Sequence, residues 1–191
     1  MRLNLPNLLT LSRLILAVVF FALVSSDDPR VLDWAEFVFV IACVTDYFDG
    51  YFARKLKLVT ALGRIGDPFV DKVIICGGFA MLAGRCVVIA PWMVVVLISR
   101  EFLVSSIRGY AESRGIAFGA ELAGKVKVVV QMVALGSAIY YHAHRTLPFL
   151  GPSVSSWVMI ASLYLALVLT LVSAITYVTK AWDALRELRQ T

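Results

Sequence analysis

The chain has 191 residues, 60% of them hydrophobic, and a mean hydropathy of +0.84. Soluble globular domains hold roughly 45–50% apolar residues, so this composition excludes an ordinary water-soluble enzyme and points to an integral membrane protein. A spanning helix takes about 20 apolar residues, so six spans with short connections nearly exhaust the length and make one domain. No Pro/Gly/Ser-rich linker, low-complexity run or internal repeat divides it.

Residues 1–7 read as a short interfacial segment leading into a first span at about 8–24. Ser-Ser-Asp-Asp-Pro follows Val24, with no small-residue cleavage site, so this stretch is expected to remain as a span rather than a signal peptide. Asp27-Asp28-Pro29-Arg30 reads as a turn. The second span is expected over 34–52 and ends in Arg54, Lys55 and Lys57. The third is expected over 67–82, with Pro68 in its first turn and Asp67 as its cap. The fourth is expected over 86–107, with Pro91 as an early kink or its start, followed by a polar connection from Arg108 to Gly119. The fifth falls at 120–142 and the sixth at 154–178, followed by an amphipathic tail carrying Trp182, Leu185 and Leu188. Cys43, Cys76 and Cys86 lack metal-ligand spacing and read as small buried hydrophobes.

Positive charge sets the orientation. With six spans and a cytoplasmic N-terminus, all but Arg30, Arg85 and Arg145 of the 18 Lys and Arg residues fall at cytoplasmic ends. Both termini are therefore expected inside the cytoplasmic membrane. His142 and His144 then lie on the far side, with no catalytic part expected.

Four aspartates dominate the cytoplasmic ends of the second and third spans. Asp46 and Asp49 are helical i,i+3 neighbours, and Asp67 and Asp71 are i,i+4 neighbours, so each pair shares a face. An ionised carboxylate in hydrocarbon is costly and normally serves a polar cavity. Pairing with Arg54, Arg64 or Lys72 could satisfy one aspartate, but four together call for a cation. An all-oxygen donor set suits Mg²⁺, with Mn²⁺ as the alternative, and Mg²⁺ keeps positions for water and phosphate oxygens. Gly50 and Gly63 let a ligand approach the backbone, and Ala53, two turns from Asp46, keeps a cleft open. Arg54 can fork onto a phosphate. These residues describe a Mg²⁺-dependent site for a pyrophosphate or phosphate ester at the cytoplasmic face.

The pattern Asp46-x2-Asp49-Gly50-x2-Ala53-Arg54-x8-Gly63-x3-Asp67-x3-Asp71 resembles the signature of the CDP-alcohol phosphotransferase family at every signature position. The resemblance implies an all-α membrane fold of six spans and transfer of a phosphatidyl group from CDP-diacylglycerol to an alcohol, with release of CMP. It implies one or two metal ions on Asp46, Asp49, Asp67 and Asp71, with Asp71 also the base toward the acceptor hydroxyl. Gly50, Ala53, Arg54, Thr60 and Gly63 would line the CDP-diacylglycerol site. A homodimer in the lipid bilayer is the assembly it suggests, with no nucleic acid among its partners.

A second basic set, Arg100, Arg108, Arg114, Lys125 and Lys127, suits an acceptor that itself carries phosphate. Cytoplasmic loops are basic in any case, and Glu121 could pair with Lys125 at i,i+4. Leu5-Pro6-Asn7 through Arg13, Arg100-Glu101, and Gly124-Lys125-Val126-Lys127 with Gln131 resemble the branch of the family whose acceptor is sn-glycerol 3-phosphate. Inositol phosphate and, for cardiolipin, phosphatidylglycerol are the rival acceptors. Outside the family, the rivals are a membrane prenyltransferase using Asp67-x3-Asp71 and a divalent-cation transporter.

Overall fold

The computed structural model describes residues 5–55, 61–86, 88–114, 122–145 and 151–187. Side chains are placed for all of these except 5–10, 46–55, 61–68, 122, 123, 125, 183–185 and 187. The described residues form six helices: α1 (Leu5–Val24), α2 (Pro29–Lys55), α3 (Ala61–Leu82), α4 (Pro91–Ser113), α5 (Leu122–His144) and α6 (Pro152–Glu187). Among them the sole β-type pairing is an isolated bridge between Ala83 and Cys86. α1 packs on both α2 and α3, α5 on α2 and α6, and α4 on α6 and α3. An all-α bundle follows from apolar runs too long for strands.

Several helix boundaries differ from the sequence expectation, for local reasons. Asp27–Arg30 is not a free turn: Pro29 opens α2, and the Asp28 side chain accepts the Arg30 backbone N–H at 2.8 Å. A capping carboxylate followed by Pro at the first helical position is a strong start signal. Of the two expected roles for Pro91, the structure shows the start: α4 begins there and not at Cys86, because Gly84 takes φ +76° and residues 83–86 form a tight connection. The same helix runs to Ser113, so Arg108 is helical rather than part of a polar loop.

The third span also needs correction. α3 begins at Ala61, so Pro68 sits inside the helix rather than in its first turn, and Asp67 is not its cap. An internal proline removes one N–H from the ladder, a defect that membrane helices tolerate where neighbours satisfy the released carbonyl. The expected tail is likewise no separate element: α6 continues through Trp182 to Glu187. Its 36 residues make about 54 Å of helix, well beyond the roughly 30 Å hydrocarbon core.

The interior is packed with large apolar side chains, among them Phe20, Phe79, Leu135, Ile139, Met159 and Leu163. Phe20 of α1 meets Phe39 of α2 with ring centroids 5.6 Å apart. α3 approaches α5 closely at Gly78, where a Cβ would stand 2.6 Å from Leu135 Cδ2. The exterior is apolar too. Ile15, Val18, Phe102, Val133, Trp157 and Ile175 are more than half exposed. Water would penalise such a surface, whereas lipid solvates it. Two helical stretches, Val126–His144 and Pro152–Trp182, are long and apolar enough among the described residues to cross a membrane; Leu11–Val24 is apolar but shorter.

Candidate active site

The aspartate motif occupies the last turns of α2 and the first half of α3. Asp46, Asp49, Gly50, Ala53, Arg54, Gly63 and Asp67 are helical, and their side chains lie outside the described ones; Thr60 lies outside the described residues altogether. Asp71 is the motif carboxylate whose surroundings are described. Arg13 of α1, 3% exposed, donates to Asp71 Oδ1 across 58 residues of sequence. The Asp71 side chain keeps 32% of its surface open. Beside the pair is a void of about 10 Å³, walled by Ala42 and Cys43 of α2, Ile74 and Ile75 of α3, and Met132 of α5. Four helices thus converge at Asp71.

A buried polar layer lies between α4, α5 and α6. Glu101 Oε1 accepts from Arg100 Nη1 at 2.6 Å and also from Lys127 Nζ. Arg100 Nη2 donates to Ser173 Oγ at 2.5 Å. Arg100 and Lys127 are 6% and 4% exposed, so two desolvated cations share one carboxylate. Nearby, Gln131 Nε2 donates to Thr170 Oγ1 at 3.0 Å. Lys72, next to Asp71, donates to Ser105, whose own hydroxyl donates to the Glu101 backbone carbonyl at 2.7 Å. Two turns further along α4, Arg108 Nη2 donates to Tyr177 OH at 2.7 Å, while its buried Nε has no partner. Arg114 is exposed and stands over the Tyr110 ring, 5.3 Å from its centroid. The side chain of Lys125 lies outside the described ones.

The expected acceptor set is therefore divided among several environments. Arg100 and Lys127 share Glu101, Arg108 binds Tyr177, and Arg114 lies on the surface. Tyr177 has no signal in the sequence, and Arg13 and Glu101 enter there only as parts of the stretches that resemble the glycerol 3-phosphate branch. The cue for Arg13 was a cation in the middle of an apolar span, which normally has a buried acid to meet.

Among the described residues, no three acidic, imidazole or thiol groups converge on one point. Oxygen donors alone, two carboxylates from each of two helices, are the chemistry of a hard divalent ion, and the partly open Asp71 carboxylate fits that set.

His142 and His144 lie toward the other end of the bundle, about 15–18 Å along α5 from Met132, which lines the void beside Asp71. His142 Nε2 is 3.7 Å from Asp27 Oδ1, and His144 meets Asp33 Oδ1 at 2.6 Å. Arg85 gathers this end by donating to Asp27 Oδ1 (2.5 Å), the Val24 carbonyl (2.7 Å) and the Ser26 carbonyl (2.8 Å). Its guanidinium, hydrogen-bonded to Asp27, holds that carboxyl below its ordinary pKa.

Residues 3–172 match the CDP-alcohol phosphatidyltransferase family, and the chain belongs to it. Among curated relatives, the CDP-diacylglycerol–glycerol-3-phosphate 3-phosphatidyltransferase of Bacillus subtilis is 35% identical over 96% of this chain and 97% of its own length. The probable phosphatidylglycerophosphate synthase of Mycobacterium tuberculosis is 36% identical over 98% of this chain and 86% of its own. A Yersinia pestis relative, named like the Bacillus protein, is 34% identical over 98% of this chain and all of its own length.

Proposed function

We propose that this chain transfers the phosphatidyl group of CDP-diacylglycerol to sn-glycerol 3-phosphate, giving phosphatidylglycerophosphate and CMP. The observation that carries this is the end-to-end match to relatives named for that reaction, which share 34–36% identity with at least 96% of the chain. The acceptor hydroxyl oxygen forms a bond to the phosphatidyl phosphorus, the bond from that phosphorus to the CMP oxygen breaks, and the hydroxyl proton passes to a base.

Asp71 is the residue we assign as that base. It borders a void where four helices meet, and Arg13 fixes one of its oxygens. A carboxylate is a weak base for an alcohol, so alignment of the hydroxyl must supply much of the effect. Asp46, Asp49, Asp67 and Asp71 would hold one or two Mg²⁺ ions, with Mn²⁺ as the alternative. A bound ion supplies positive charge to the pyrophosphate as CMP departs. Arg54, Gly50, Ala53, Thr60 and Gly63 would contact the CDP moiety. Of the acceptor cations, Arg108 is the strongest candidate: its buried Nε has no hydrogen-bond partner, as is true of Arg100, but Arg100 is already ion-paired with Glu101. Arg100 and Lys127 would be held in place by Glu101, and Lys125 and Arg114 complete the set of acceptor candidates.

We also propose six membrane crossings, with both termini and the aspartate motif on the cytoplasmic side of the cytoplasmic membrane, and a homodimer as the assembly. The apolar exterior of α1, α4, α5 and α6 supports the crossings, and the distribution of Lys and Arg supports the orientation. Purified chain in mixed micelles, given CDP-diacylglycerol and a panel of labelled acceptors, tests the reaction. Label from glycerol 3-phosphate should enter the lipid fraction. Incorporation of inositol phosphate or phosphatidylglycerol in its place would contradict the acceptor.

A further inference from the structure

Between α2 and α5 lies a lateral groove of about 590 Å³ that the chemistry above does not use. Its inner end is walled by Cys43 and Met132, which also line the void beside Arg13 and Asp71. The groove therefore abuts the proposed reaction centre, with Cys43 and Met132 as the shared wall. From there it follows α2 from Val44 back to Glu36, about 12 Å of helix. Its rim residues Val40, Val44 and Val133 are 46%, 47% and 59% exposed, so it opens sideways toward lipid.

The polar lining is confined to the outer end, at Glu36, Ser137 and Tyr140. Ser137 donates to the Ala134 carbonyl at 3.0 Å, whereas the buried Glu36 Oε2 has no hydrogen-bond partner. The Glu36 carboxyl lies against Gly136, where an added Cβ would stand 2.9 Å from Oε1. Glycine is what lets this carboxyl lie across the groove. The result is a short apolar slot with its inner end at the reaction centre and an unpaired carboxyl at its outer end. A partner helix would need a seam running through the roughly 30 Å hydrocarbon core, and this slot covers less than half of that. Its volume falls within the roughly 300–1,000 Å³ of small-ligand sites.

We propose that this slot holds one acyl chain of the CDP-diacylglycerol donor, and that Glu36, lying across Gly136, sets how far that chain reaches. The proposal rests on the transferase reading above. A tail packed between Phe39 and Met132 exchanges lipid contacts for closer packing against protein, whereas methylenes pushed against the carboxyl would strip it of any remaining polar contact. The slot thus favours chains that end before Glu36 and leads the diacyl lipid in from the bilayer between α2 and α5.

Two measurements on the full chain test this. The first compares kcat/KM for dipalmitoyl and didecanoyl CDP-diacylglycerol in wild type, Val40→Phe, Val133→Phe, Glu36→Ala and, as a control on the lipid-facing side of α6, Val168→Phe. The two rim substitutions should lower the dipalmitoyl-to-didecanoyl ratio by about threefold, the effect of losing packing contacts that the longer chain makes in the slot. Glu36→Ala should raise the ratio by about twofold, because a longer chain then no longer meets the carboxyl. Val168→Phe should leave activity and ratio unchanged. Unchanged ratios in both rim variants would overturn the slot, and an unchanged ratio in Glu36→Ala would overturn the stop. The second uses wild-type chain and a donor carrying a diazirine at the end of one acyl chain. Photolabel should fall on residues 36–44 or 132–140; label confined to other helices would overturn the proposal. Failure of the transferase reading would look different, with no lipid formed from glycerol 3-phosphate by wild type with either donor.

Discussion

The two ends of the bundle place similar charged side chains in opposite settings. At the inner end, Arg13 meets Asp71, and Arg100 and Lys127 meet Glu101, with all three cations at most 6% exposed. At the outer end, Arg85 meets an Asp27 that is 81% exposed, and His144 meets a half-exposed Asp33. Desolvation makes an inner partner hard to lose, because removing it strands a charge in apolar surroundings. Water takes over readily for an outer partner. The outer contacts fasten connections, whereas the inner ones hold cations beside the proposed chemistry.

Substitutions should expose this contrast. Glu101→Ala has the largest expected effect on stability, because it leaves both Arg100 and Lys127 without their carboxylate. A loss of about 3–5 kcal/mol is expected in detergent unfolding, with Glu101→Gln losing less because its amide oxygen still accepts. Equal behaviour of the two variants would mean that charge is not what matters there.

Arg13→Ala comes next. Asp71 is about one-third open to its surroundings, so the penalty should be smaller, about 2 kcal/mol, and should come with lost turnover. Arg13→Lys should restore stability more than activity, because a single ammonium cannot copy the guanidinium fork. Full activity in Arg13→Ala would separate this residue from the site.

Arg85→Ala should lower the unfolding midpoint least of the three. Its effect should depend on pH. The folded-state pKa of Asp27 lies below its ordinary value of 3.8, so the stabilisation is present above that value. It is lost as pH falls through the lowered pKa. The difference between wild type and Arg85→Ala should therefore shrink in acid. A difference that grows in acid would contradict the pairing.

The same contrast explains what could be read from the sequence. Six helices and their order were legible, since each is a local property of about 20 residues. The aspartate pattern was legible because Asp46 and Asp49, and likewise Asp67 and Asp71, lie about one helical turn apart. Arg13 and Asp71 are 58 residues apart, and only the packing of α1 on α3 joins them. The sharing of Glu101 between neighbouring Arg100 and distant Lys127 similarly needs α4 and α5 placed together. Boundaries slipped where a local signal had two meanings. Pro68 can open a helix, but α3 carries it inside; Pro29 can sit in a turn, but Asp28 caps a helix that starts on it.

Asp71 is where these threads meet, so its replacement is the most direct test. Purified wild type and Asp71→Asn should be compared for transfer of label from glycerol 3-phosphate into lipid, with CDP-diacylglycerol binding measured on the same samples. A lost general base should reduce kcat by about 10²–10⁴-fold while donor binding persists in part. Near-normal turnover in Asp71→Asn would contradict the account.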